Sequence, residues 1–210
     1  ILEALVQFVQ SGVIFGNVAT SLEGLAIGFA ISLVIGLLVG ALMGRYRRVE
    51  KALDIYVNAL LISPSMIFAP IFFAIFGLSG AVRIAVIVMY SLFVIIMNTA
   101  TAIRNVDPAL VEMASSFGAN ERQIFLRVLL PASLPLVFAG IRLGMGRAVK
   151  GMINAEMLIA MVGLGALAQR YGSQFEAAKV FAIALVVLII ALVCNWLVQA
   201  AENHLTRWAD

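Results

Sequence analysis

Apolar residues fill most of this chain in blocks too long for an ordinary core helix, and polar residues gather in the short stretches between them. Crossing about 30 Å of hydrocarbon takes roughly 20 helical residues. Five blocks reach that length: residues 22–43, 52–76, 81–103, 134–162 and 178–200. A Gly77-Leu78-Ser79-Gly80 turn separates the second from the third. Residues 1–20 have apolar positions at helical spacing but are interrupted by Ser11-Gly12 and Gly16-Asn17, which predicts a helix lying at the external interface. The expected fold class is all-α: a polytopic membrane helix bundle, one transmembrane domain over residues 1–210.

Composition agrees with the pattern. The hydrophobic fraction is 63% and the charged fraction 12%, with a mean hydropathy of +1.09, whereas a soluble domain is about a quarter charged. The net charge of +3 is too small to indicate a nucleic-acid partner, so the partner of the apolar surface is the lipid bilayer. Basic residues act instead as topology markers. Arg45, Arg47, Arg48, Lys51, Arg104, Arg122, Arg127, Arg142, Arg147, Lys150 and Arg207 fall on one side of the predicted spans, and Arg83, Arg170 and Lys179 on the other. Eleven against three predicts that the first side and the C-terminus are cytoplasmic. Cys194 lies in an apolar run and reads as packing, and His204 as a solvated tail residue. No cluster has metal-ligand spacing, no nucleophile–base pair is visible, and there is no phosphate-binding loop. The chain reads as a non-enzyme that binds no cofactor or metal itself.

One polar stretch stands out, residues 107–131. Asp107 is a natural N-cap, and Pro108 sits at the first helical position, where its missing N–H costs nothing. Gly118 suits a left-handed helix end. Asn120 and Gln123 have capping-box spacing, and Pro131 is expected to stop the second helix, with Pro135 marking entry to the fourth span. Two short capped helices at a fixed angle make a stiff cytoplasmic knob.

Two features bear on packing. Gly24, Gly28, Ser32, Gly36, Gly40 and Gly44 recur every fourth residue in the first span, a stripe that lets a second backbone approach closely. It drifts about 40° per step and suits either intrachain packing or a subunit interface, the latter favouring a homodimer. In the second span, Ser63-Pro64-Ser65 and Pro70 predict a kink.

The sequence Glu112-x-Ala114, then Gly118, then Val128-x-Leu130-Pro131 resembles the EAA loop of ATP-binding-cassette importer permeases of the binding-protein-dependent type. Met113 and Val128 depart from the commonest pattern, and both are apolar. Further stretches are similar to the nitrate/sulfonate/taurine branch: Gly36 to Gly44, Asn105 to Pro108, Leu130 to Pro135 with Gly140-Ile141-Arg142-Leu143-Gly144, and Ala155-Glu156-Met157 before Gly163-Leu164-Gly165. The resemblance implies a type I importer fold with six spans in the full subunit. It implies that residues 107–131 form a coupling helix, with Glu112, Ala114, Ser115, Phe117, Gly118 and Ala119 touching an ATPase. The implied partners are two cytoplasmic ATP-binding subunits, which would hold ATP and Mg2+, a second permease subunit, and an external solute-binding protein. The implied location is a bacterial plasma (inner) membrane.

Charges inside an apolar span are costly and point to function. Arg147, Lys150 and Asn154 fall within about 60° of one another on a helix and would suit a cationic groove for a small anion such as a sulfonate, nitrate, bicarbonate or aromatic carboxylate. Glu156 lies near the azimuth of Arg142 but roughly 20 Å along the axis. With Ser63, Met66 and Asn98, these residues make up the candidate translocation path: Ser63, Met66, Asn98, Arg147, Lys150, Asn154 and Glu156. Thr99 and Thr101 could add hydrogen bonds, or satisfy neighbouring helices instead. A different class of function, a secondary transporter or channel, would use Lys150 and Glu156 for ion coupling and leave the hairpin without a purpose.

Overall fold

The computed structural model describes residues 2–159 and 161–206. Their regular structure is entirely helical: α1 (Leu2–Gln10), α2 (Val13–Arg45), α3 (Arg47–Ile62), α4 (Ala69–Phe76), α5 (Gly80–Arg104), α6 (Pro108–Ser116), α7 (Glu121–Ile124), α8 (Leu130–Ile159), α9 (Gly163–Ser173) and α10 (Ala177–Leu205). Helices α2, α5, α8 with its lead-in, and α10 are long and apolar enough to cross a membrane, and α3 with the 3-10 turn and α4 makes a fifth if that bent pair is one crossing. The topology marker Arg207 and residue 160 of the predicted fourth span lie outside the described residues.

Three expectations change. Only residues 2–10 form a separate first helix. Val13 to Thr20 belong to α2, because Ser11-Gly12 breaks the chain (Gly12 has φ +70) whereas Gly16-Asn17 does not. Helix tolerates a single exposed glycine at a cost of about 1 kcal/mol, and Asn17 bonds back to the Val13 carbonyl at 2.8 Å. The second block bends where Ser63-Pro64 predicts, by 98°, but the second proline acts differently. Pro70 starts α4 rather than kinking a longer helix. Finally, Pro131 does not stop the second hairpin helix. The chain passes through a π turn at Phe125–Leu129 into α8. Proline lacks an N–H and its ring crowds the carbonyl four residues back, and widening the preceding turn accommodates both defects. Pro135 likewise lies within α8.

Contacts divide the chain into two compact units. One comprises Ile1–Ile31, Pro64–Ser91 and Met145–Trp196, the other Ser32–Ser63, Leu92–Gly144 and Leu197–Asp210. The same device packs α2 on α5 in each. In the first, a Cβ added at Gly28 would lie 2.7 Å from Ile87. In the second, Cβ atoms at Gly36, Gly40 and Gly44 would fall within 2.8 Å of Ile95, Thr99 and Ile103 respectively. The small-residue stripe is thus spent on intrachain packing and gives no support to a homodimer. Around it, Val82, Val86 and Ala155 form a core in the first unit, and Met43, Val57, Ile96 and Ala100 in the second.

Two glycines of α2 should respond oppositely to alanine. Gly40→Ala would place a methyl 2.7 Å from the Ile96 carbonyl oxygen and should cost about 1–3 kcal/mol by overpacking. At Gly16 an added Cβ meets nothing within 4 Å, so Gly16→Ala should gain up to about 1 kcal/mol from helix propensity. Thermal unfolding in detergent reads both signs, and an unchanged midpoint for Gly40→Ala would refute the close packing.

Candidate functional site

The polar hairpin is built as its residues dictate. Asp107 caps α6, its Oδ1 accepting the Ala109 N–H at 2.9 Å, with Pro108 in the first turn. At the far end the Ala119 N–H donates to the Ala114 carbonyl at 3.1 Å and the Gly118 N–H to the Ser115 carbonyl at 2.9 Å. This is the paired Schellman closure of a helix, and it needs Gly118 at φ +78. Asn120 and Gln123 then form a reciprocal capping box, at 2.8 and 2.9 Å. Val106, Ile124 and Leu129 form a small core beneath, packed by Val111, Ala114, Ala119 and Phe125. Arg45 at the end of α2 pairs with Glu121 at 3.2 Å, and Arg104 at the end of α5 pairs with Glu50 of α3.

Of the six residues expected to touch an ATPase, Ala114 and Ala119 face the hairpin's own core, half-buried. Glu112, Ser115, Phe117 and Gly118 are exposed. Phe117 is 85% exposed and Met113 55%, so an apolar tip stands on a frame held by caps. Ser115 and Ser116 bond back to the Val111 and Glu112 carbonyls.

The candidate path residues have varied surroundings. Ser63 bonds to the Ala59 carbonyl at 2.8 Å and Asn98 to the Val94 carbonyl at 2.8 Å, each within its own helix. Met66 is half-buried in the 3-10 turn after the break. Thr99 is buried against Gly40, and Thr101 accepts a weak bond from Arg104. Asn154 donates to the Tyr90 hydroxyl at 2.8 Å, linking α8 to α5. Arg147 and Lys150 are exposed, and among the described residues neither makes an ion pair. Arg142 pairs with Glu202 of α10 at 2.7 Å.

Glu156 is fully buried and holds a turn together. Its Oε2 accepts from the Ser21 hydroxyl at 2.9 Å and from the Gly165 N–H at 3.0 Å. The Ser21 Oγ in turn accepts the Leu164 N–H at 3.0 Å, and Asn17 Oδ1 accepts the Gly163 N–H at 3.1 Å. Gly163, at φ +87, leaves the space for this carboxylate. Arg83, only 7% exposed, places Nη1 3.8 Å from Glu156 Oε1. A Cβ at Gly24 would sit 2.5 Å from its Nε. Sequence reasoning missed Asn17, Ser21 and Arg83, and treated Arg83 as an external topology marker. The signal available was one lone arginine and one lone glutamate in apolar helices, since such charges usually find each other.

The hairpin's caps can be tested separately. Gly118→Ala meets no neighbouring atom and should cost about 1–2 kcal/mol from the left-handed backbone alone, while Asn120→Ala should cost about 1 kcal/mol. Both should speed protease cleavage between residues 107 and 129 without altering cleavage elsewhere. Unchanged cleavage would mean that the caps do not hold the hairpin.

Comparison with known proteins places this architecture. Residues 32–207 match the family described as binding-protein-dependent transport system inner membrane component. The chain is 29% identical to a probable ABC transporter permease protein of Brucella abortus (strain 2308), covering all of this chain and 84% of that protein. It is 35% identical to the riboflavin transport system permease protein RibX of Chloroflexus aurantiacus, over 96% of this chain and 75% of that one. With the Escherichia coli (strain K12) permease protein SsuC, named for aliphatic sulfonates transport, identity is 34% over 94% and 75%. Among solved structures, an inward-facing form of the MetNI methionine ABC transporter aligns with a TM-score of 0.73 at 21% identity, covering 92% of this chain and 94% of that one, which shows a shared fold. The helices apolar enough to span a membrane, with their capped polar hairpin, thus sit in a chain that belongs to the binding-protein-dependent transport system inner membrane component family.

Proposed function

We propose that residues 107–131 are the coupling element through which cytoplasmic ATPase subunits drive this permease, and that Phe117 is its principal contact. The supporting observation is the exposed Phe117 on a doubly capped frame. An aromatic side chain has few rotatable bonds, so on a capped backbone it costs little further entropy on docking, and such anchors dominate interface energies. In this reading two ATPase subunits, holding ATP and Mg2+, close on nucleotide and move the hairpins of two permease subunits. The helices then alternate between inward-open and outward-open arrangements, with substrate delivered by an external binding protein. The hairpin and C-terminus are cytoplasmic and the membrane is a bacterial inner membrane.

The substrate in this reading is a small anion or organic anion. Support comes from Arg147 and Lys150, both exposed on α8 without an ion-pair partner among the described residues, and from the sulfonate name carried by one relative. The riboflavin name of another relative keeps neutral or larger substrates as the comparison class. Asn154 and Glu156 have protein partners, so Arg147 and Lys150 are the residues most available to substrate.

Two measurements test these proposals. Phe117→Ala should weaken association with the cognate ATPase subunits roughly thirtyfold, the loss expected of a hot-spot aromatic, and reduce uptake in reconstituted vesicles while the permease stays folded. Uptake and association at the parental level would reject the coupling role. Lys150→Gln should raise the KM for an anionic substrate roughly fivefold or more and leave a neutral one unchanged. Equal effects on both would reject the anion reading.

A further inference from the structure

The cluster around Glu156 draws on α2, α5, α8 and the start of α9, all within one compact unit. The first amides of a helix have no partner inside it. Here the three that open α9, at Gly163, Leu164 and Gly165, all donate to side chains of α2 or α8. Glu156 alone takes two bonds on a single oxygen, Oε2. Its other oxygen faces Arg83 at 3.8 Å, too far for a hydrogen bond. That pairing acts by charge alone.

The cluster also borders a cavity of about 470 Å³. Asn17 takes part in both, bonding Gly163 while lining the cavity. Leu167, Gln169 and Arg170 of α9 form much of the remaining wall. Whatever seats α9 therefore shapes the cavity.

We propose that Glu156, Ser21, Asn17 and Arg83 form a lock that seats α9 on α2 and α8 and so sets the wall of this cavity, with Arg83 compensating the buried carboxylate. Glu156 and Arg83 act as positioning residues through α9. The proposal goes beyond the coupling role of the hairpin and does not depend on it.

The test uses the full chain in membrane vesicles, with Cys194→Ser and Leu167→Cys as the parent. Leu167 is 8% exposed, so a seated α9 shields the new thiol from a maleimide. Glu156→Gln keeps an acceptor for Ser21 and Gly165 but strands the Arg83 charge, which is strongly destabilising for a buried pair. Labelling should accelerate roughly tenfold or more. The double variant Arg83→Gln/Glu156→Gln leaves no buried charge uncompensated and should return to within about threefold of the parent. Equal rates in all three chains would overturn the lock, as would a double variant labelling as fast as the single one. If Glu156→Gln does not accumulate, recovery of the double variant to parental amounts is the same rescue, and failure of both overturns the proposal.

Discussion

The close approach of α2 to α5 is the constraint on which the other features depend. Lipid offers helices no hydrophobic reward for associating, so contact must come from shape. A small residue at every fourth position of α2 lets the branched side chains of α5, Ile87, Ile95 and Ile103 among them, reach its backbone. In the second unit the stripe ends at Gly44, beside the hairpin. Arg45, the last residue of α2, pairs with Glu121, and the turn after α5 supplies Val106 to the hairpin core. The hairpin is thereby mounted on the ends of two closely packed helices, and a displacement of either end bears on it directly.

Several polar groups within the apolar helices are paired inside the protein. Asn98 and Ser63 return their bonds to their own helices, Arg142 finds Glu202, and Asn154 finds Tyr90. Glu156 accepts the Gly165 amide and Ser21 the Leu164 amide, groups that would otherwise be stranded at the start of α9. Arg147 and Lys150, exposed on α8, stand apart from this pattern. That contrast is the physical reason to associate them with substrate and Glu156 with architecture.

The helical class, the long spans and both caps of the hairpin were legible in the sequence because each rests on local chemistry. A run of apolar residues, Asp-Pro, Gly118 and the Asn120–Gln123 pair each specify their own backbone. What was not legible depends on distant partners or on competition between local effects. Pro131 reads as a stop, yet a π turn absorbs it because α8 continues as a packed helix. Gly16-Asn17 reads as a break, yet the Asn17 side chain bonds back onto the helix and also reaches Gly163. The glycine stripe was visible, but its partner was not, and only the structure assigns it to α5. Glu156 was visible as an unusual charge, while its partners lie far away in the chain at Ser21 and Arg83.

The central claim is that the capped hairpin presents its apolar tip to a nucleotide-hydrolysing partner on the cytoplasmic side. Site-directed cross-linking from Met113→Cys, in a chain carrying Cys194→Ser and assembled with its ATPase, tests this most directly. The account predicts a covalent adduct with the ATPase subunit and no reaction with an impermeant thiol reagent applied outside intact cells. Labelling from outside, with no adduct to the ATPase, would contradict it.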